Sequence, residues 1–171
     1  MALSDLRLVV AEARLLDAAL EGPRALERAL GIAVVDGWDV FPRSLVRVRE
    51  AVGDDPAAPR WGSRFFVAGE PPELVGWGGF KGPPRDGTVE LGYAVAPARE
   101  GRGLATAAVR AMLRDAFADP GVHAVIAHTL PAPGPSPRVL EKAGFTRTGE
   151  VTGDHGEPVW RFRILDGALP A

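Results

Sequence analysis

Cysteine is absent from the 171 residues, which removes disulfides, a thiol nucleophile and thiolate metal sites from consideration. Lysine is nearly absent: Lys81 and Lys142 are the only two among 20 basic residues, a bias that fits the base composition of a gene better than a function. Neither sign of charge dominates. The net value is −2, so bulk electrostatics point to neither a nucleic-acid nor a membrane-surface partner. No stretch approaches the ~20 apolar residues that cross a bilayer, and Met1 to Asp5 lack the charged and apolar regions of a signal peptide. A cytoplasmic protein is expected. The three histidines, His123, His128 and His155, do not form a metal-ligating spacing, so no metal is expected, and tyrosine occurs once, at Tyr93.

What is present suits one domain spanning residues 1–171. A hydrophobic fraction of 46% beside 25% charged residues is that of a soluble globular chain long enough to bury a core. Residues 6–30 read as helices, with Leu15, Leu16, Ala19 and Leu20 on one face, a break at Gly22-Pro23, and Leu26 and Leu30 resuming the pattern. Residues 32–38 are ambiguous between a short strand and a loop. Pro42 to Val52 reads as a further helix, with proline where a first turn tolerates it.

From Arg64 the pattern turns extended. Arg64 to Ala68 and Leu74 to Phe80, joined through Gly69-Glu70-Pro71-Pro72, read as a hairpin that a third strand extends into an antiparallel meander. That third strand opens the stretch around which the chain is organised, Thr88 to Thr106. It is β-branched and aromatic, stops at Pro97, turns through Gly101 and Gly103, and enters a helix beginning near Leu104.

Helix first turns carry backbone N–H groups without intrahelical partners and a partial positive charge, a ready seat for an anion. Glycines let the backbone turn sharply and let a phosphate come close. The stretch lacks the Gly-Lys-Ser/Thr of a nucleoside-triphosphate loop and fits a dinucleotide fingerprint poorly. Downstream, residues 122–129 form a nearly continuous apolar run, read as a strand parallel to the organising one. A proline-rich loop over 131–137 follows, then a short helix capped by Ser136 and ending at Gly144. Two last strands cover Phe145 to Val151 and Val159 to Leu165. The fold class is α/β: a mixed, mostly antiparallel central sheet with helices on both faces.

Three segments, Glu90-Leu91-Gly92-Tyr93, Glu100-Gly101-Arg102-Gly103-Leu104-Ala105 and Arg138 to Phe145, resemble in order and spacing the GNAT superfamily of N-acetyltransferases. The middle one resembles its acetyl-coenzyme A signature, Gln/Arg-x-x-Gly-x-Gly/Ala. The resemblance covers residues 60–165 and is nearest to the branch of ribosomal-protein N-terminal acetyltransferases. Glu100 departs from the usual Gln or Arg, and Pro133 stands where that branch often has Asn.

The resemblance implies acetyl transfer from acetyl-coenzyme A to a primary amine, a protein N-terminus or a small molecule. It implies cofactor holding by Gly101, Arg102, Gly103, Leu104, Ala105 and Thr106, with a bulge in the organising strand and pantetheine along the backbone of Tyr93, Ala94 and Val95. Glu90 is implied as base, directly or through water; a charged residue on a strand face is the plainer reading. Ser136 is a candidate proton donor to the thiolate, although a serine before proline at a helix start is more often a cap. His128, Trp38 and Trp77 read as packed side chains. Glu150, Asp154 and Glu157 read as a solvated turn that could also attract a cationic amine. With no cysteine an acyl-cysteine intermediate is excluded, which favours direct attack in a ternary complex. A non-catalytic acyl-coenzyme A binding module is the alternative, and a homodimer is compatible with either.

Overall fold

A computed structural model describes residues 6–169. The segment Met1 to Asp5, read above for the absence of a signal peptide, lies outside the described residues. In chain order the elements are β1 (Arg7–Val10), α1 (Ala13–Glu21), α2 (Pro23–Leu30), β2 (Ala33–Val34), α3 (Pro42–Val52), β3 (Ser63–Ala68), β4 (Glu73–Phe80) and β5 (Thr88–Val95). There follow α4 (Leu104–Phe117), β6 (Ala124–Thr129), α5 (Pro135–Lys142), β7 (Thr146–Thr152) and β8 (Pro158–Leu165). The strands form one sheet in the order β1-β3-β4-β5-β6-β8-β7, with β2 alongside β4. Among the described residues only the β5–β6 and β2–β4 pairs are parallel.

The helical reading of residues 6–30 holds for α1 and α2 but not for residues 7–10. Leu8 and Val9 lie opposite Phe66 and Phe65 as an antiparallel edge strand, where β3 offers an unpaired edge and β-branched Val9 and Val10 suit it. Leu20, assigned to the apolar face, is 43% exposed, while Leu15, Leu16 and Ala19 are buried. The cap expected of Ser136 is also absent. Gly134 precedes the first turn of α5, Pro135 opens it, and the serine hydroxyl bonds elsewhere.

Alternation along the strands divides the core in two. Val89, Leu91, Val125, Ala127, Phe162 and Ile164 face α4, whose Ala108, Val109, Met112, Leu113 and Ala116 are fully buried. On the other face Phe65, Leu74 and Trp77 pack with Trp38 and the apolar sides of α1, α2 and α3. Trp38 and Trp77 stack edge to face at 6.0 Å, the core role expected of them.

The sheet opens at its centre. β5 and β6 pair only over Thr88–Glu90 and Ala124–Ile126; beyond that β5 follows β4 up to Val95, and β6 follows β8. The bulge expected in β5 is not there, because the β4–β5 register runs unbroken from Phe80↔Leu91 to Gly76↔Val95. Glycines let β5 lean onto β4 and away from β6. A Cβ on Gly78 would sit 2.8 Å from the Tyr93 Cα and 2.9 Å from the Phe66 ring, and against the Gly92 carbonyl as well. Gly78→Ala is therefore expected to cost about 1–3 kcal/mol by overpacking. Thermal unfolding reads this as a drop of roughly 2–4 °C per kcal/mol. An unchanged midpoint would show that β5 has room to move.

Candidate active site

The gap between β5 and β6 has polar walls on its β5 side. The Glu90 carbonyl and the Ala96 amide both bond to the β4 side, so even-numbered residues of β5 spend their backbone groups on β4. By the same alternation Tyr93 and Val95 turn their N–H and C=O groups into the gap, where among the described residues no strand receives them, while the Leu91 N–H closes the short β5–β6 ladder on Ile126. The pairing expected of Tyr93, Ala94 and Val95 with a ligand backbone is thus possible for Tyr93 and Val95 and not for Ala94. Ala94 has its carbonyl against β4 and offers the gap no backbone group.

At the C-terminal end of β5 the chain passes a single 3₁₀ turn over Pro97–Arg99 and reaches the glycine-bracketed bend. Arg99 fixes that turn through a bidentate pair with Glu73, Nε donating to Oε2 at 3.1 Å and Nη2 to Oε1 at 3.2 Å. Gly101 and Gly103 adopt φ of 72° and 75°, the left-handed region that glycine enters without strain. Among the described residues none of the amides from Gly101 through Thr106 has an acceptor, and the first bond of α4 is Ala107 N–H to the Gly103 carbonyl. Gly101, Arg102, Gly103, Leu104, Ala105 and Thr106 thus present a row of bare donors. A Cβ at Gly101 would meet open space. The side chains of Glu100 and Arg102 are exposed.

Beside the bend lies a groove of about 530 Å³ lined by Gly103, Thr106, Arg110, Arg114 and Lys142. Arg110 donates through Nη2 to the Lys142 carbonyl at 2.7 Å, while its buried Nε has no partner among the described residues. Sequence reasoning missed this cluster. Its signal is the i, i+4 spacing of Thr106, Arg110 and Arg114 along one side of α4, completed by the last residue of α5. A larger groove, about 910 Å³, lies by the far edge near β1; its buried Arg64 already donates to Pro59, Gly62, Ser63 and Arg60 carbonyls.

Where β5 and β6 part, Glu90 faces away from α4. Its Oε1 accepts from Lys81 Nζ and from His128 Nδ1 at 2.9 Å, and Arg161 Nε donates to His128 Nε2 at 3.3 Å. A guanidinium can only donate, so Nε2 is the acceptor and Nδ1 carries the proton toward Glu90. Glu90 Oε2 has no partner among the described residues. Burial pushes the Glu90 carboxyl up, but the bonds from Lys81 and His128 outweigh it and hold the group below its ordinary value. His128, expected to be merely packed, is a bonded neighbour of the proposed base.

Across the gap, the Tyr93 hydroxyl donates to the Ser136 carbonyl at 3.0 Å and lies 3.3 Å from Ser136 Oγ, which donates to it. Burial raises the phenol to about 12, so it stays protonated. The two hydroxyls, 43 residues apart in sequence, meet at the start of α5. Of the acidic residues near the last turn, Glu150 lies opposite Trp160, on the face turned to the α4 side. Glu157 is engaged with the His155 amide of its own loop.

A mixed sheet that splays at its centre, with bare amides where the next helix begins, is the architecture of a coenzyme A-dependent acyltransferase. The family model described as an acetyltransferase (GNAT) domain matches residues 34–146. The chain belongs to the GNAT acetyltransferases. Solved structures agree in fold. A GNAT-family acetyltransferase from Bacillus anthracis is 21% identical with a TM-score of 0.63, over 94% of this chain and 95% of that one. Aminoglycoside acetyltransferase AAC(6')-Ib in complex with coenzyme A is 23% identical with a TM-score of 0.64, over 96% and 95%. A chimera of Vibrio cholerae spermidine N-acetyltransferase SpeG and hSSAT is 18% identical with a TM-score of 0.63, over 94% and 95%. No curated protein matches the sequence.

Proposed function

We propose that the chain, acting as one domain in the cytoplasm, moves an acetyl group from acetyl-coenzyme A to a primary amine by direct attack in a ternary complex. The observation that carries this is the continuity of two unpaired backbone rows. The gap-facing amides of β5 lead into the bare amides of Gly101 through Thr106, and the second row ends beside the Arg110, Arg114 and Lys142 groove.

Each row matches one part of coenzyme A. The bend seats the diphosphate on N–H donors at a helix N-terminus, and the groove offers cations to the remaining phosphate. The backbone of Tyr93 and Val95 receives the pantetheine amides as an added strand would be received. One gap-facing N–H then polarises the thioester carbonyl, a contribution of about 3 kcal/mol when it strengthens in the transition state.

The amine stands at Glu90. With its carboxyl held low, Glu90 draws the ammonium in and takes a proton from it, through the free Oε2 or a water. The neutral amine then attacks the thioester carbon, and the tetrahedral intermediate breaks its C–S bond to release the thiolate. An α-amino group with pKa near ~8 is about one-tenth neutral at neutral pH and asks little of such a base; a lysine amine near ~10.4 asks much more. Ser136 and Tyr93 stand where the thiolate leaves. Tyr93→Phe removes the acceptor of the Ser136 proton and frees that hydroxyl to rotate, so kcat should fall about 10- to 100-fold. The KM for acetyl-coenzyme A should change little. An unchanged kcat would make the pair a packing feature.

The ribosomal-protein branch rests on the motif resemblance alone and is one arm of the test. Thiol release from acetyl-coenzyme A is followed with free amino acids, peptide N-termini, polyamines and aminoglycosides. Amine-dependent release supports the enzyme. Tight coenzyme A binding without release on any amine identifies a binding module instead.

A further inference from the structure

The register of the second half of the sheet collects charge on one face. His128 lies opposite Arg161, Ile126 opposite Arg163, and Glu90 opposite Ile126, so all five share the face turned away from α4. None of them belongs to either buried core, because α1, α2 and α3 pack over the other end of the sheet. Lys81 adds its ammonium to the same place through Glu90. Three cations thus surround one carboxylate, whose negative charge is already engaged by Lys81 and His128.

Arg161 spends its Nε on the His128 ring, and among the described residues its remaining nitrogens have no carboxylate partner; Arg163 has none either and is exposed. Of the acidic residues at the last turn, Glu150 lies on the other face and Glu157 is engaged within the turn, which leaves exposed Asp154 as one carboxylate against the three cations. A polycationic amine approaching Glu90 therefore meets an excess of like charge. An amine that also carries an anion finds Glu90 Oε2 for its ammonium and, one imidazole away, the free edge of a guanidinium. Planar bidentate recognition of a carboxylate is what that edge does best.

Resting on the acetyltransferase reading above, we infer that the acceptor is a primary amine bearing a carboxylate, of the amino-acid type, with Glu90 on the amine and Arg161 on the carboxylate. Lys81 and Arg163 set the sign of the field around them. The selectivity comes as much from repulsion of polycations as from attraction of the anion. It differs from the aminoglycoside and spermidine acceptors named for two structural neighbours.

The test is a kcat/KM series at fixed acetyl-coenzyme A: free α-amino acids, the same amino acids as primary amides, peptide amides with an acidic first residue, spermidine and an aminoglycoside. Free acids are expected to exceed their amides at least tenfold. In Arg161→Gln that ratio should collapse toward one, with Arg161→Lys restoring part of it. A side-chain carboxylate as the source would show as preference for the acidic peptides over neutral ones. Spermidine or the aminoglycoside exceeding every carboxylated amine, or amides matching acids, would overturn the inference while leaving acetyl transfer intact. So would binding of acetyl-coenzyme A without acetylation of any carboxylated amine. Failure to bind coenzyme A by calorimetry would instead remove the underlying reading.

Discussion

Gly103→Glu is expected to weaken coenzyme A binding at least a hundredfold in calorimetry while the protein stays folded. Two effects add. Gly103 has φ of 75°, so any side chain there carries the left-handed strain of about 1–2 kcal/mol, and the new carboxylate stands among the amides that would meet a diphosphate. Charge repulsion is the larger for binding, since two like unit charges about 4 Å apart repel by about 4 kcal/mol at the dielectric of a protein surface. Gly103→Ala carries the strain without the charge and serves as control. It should lower the melting temperature by roughly 2–8 °C, the same strain read through the unfolding entropy of a chain this size, and keep measurable affinity. Equal affinity in the glutamate variant and the native protein would place the nucleotide elsewhere.

Glu90→Gln should lower kcat/KM about a hundredfold or more, within the range for loss of a positioned acid–base group. The loss should be greater for a lysine-type amine than for an α-amine, because the second is already partly neutral. Since Glu90 is held below the ordinary carboxylate value near ~4.3, it stays ionised throughout the neutral range. The rise of kcat/KM between neutral and alkaline pH then belongs to the amine, and the limb due to Glu90 lies at the acid end. The same depressed carboxyl stabilises the fold above its unfolded-state pKa, and this contribution disappears as pH falls through the folded value. The glutamine variant should accordingly lose less stability than the native protein over that acid interval. Retention of full activity would reduce Glu90 to an ion-pair partner of Lys81.

The parts of this molecule legible from the sequence are those whose cause is local. α3 carries its own start and stop, Pro42 at the first turn and Gly53 after Val52, and the helix has those bounds. The bend between β5 and α4 is likewise announced by two glycines, and both adopt the left-handed conformation that glycine is needed for. What was missed depends on partners far along the chain. β1 is a strand because β3, more than fifty residues later, offers it an edge. Ser136 looked like a cap because nothing nearby reveals that Tyr93 reaches it. His128 looked like filling for a strand, since its bonds to Glu90 and Arg161 follow from register across three strands. The bulge implied by family resemblance is replaced by a lean of β5 onto Gly76 and Gly78, a feature of side-chain volume on the neighbouring strand.

Backbone amide spectra of nitrogen-15-labelled protein titrated with acetyl-coenzyme A test the central claim most directly. The largest shifts are expected at Gly101, Arg102, Gly103, Leu104, Ala105 and Thr106, together with Tyr93 and Val95, and little change along β1 or in the groove by Arg64. Saturable binding that leaves the bend and β5 unshifted, or shifts confined to the far edge, would contradict it.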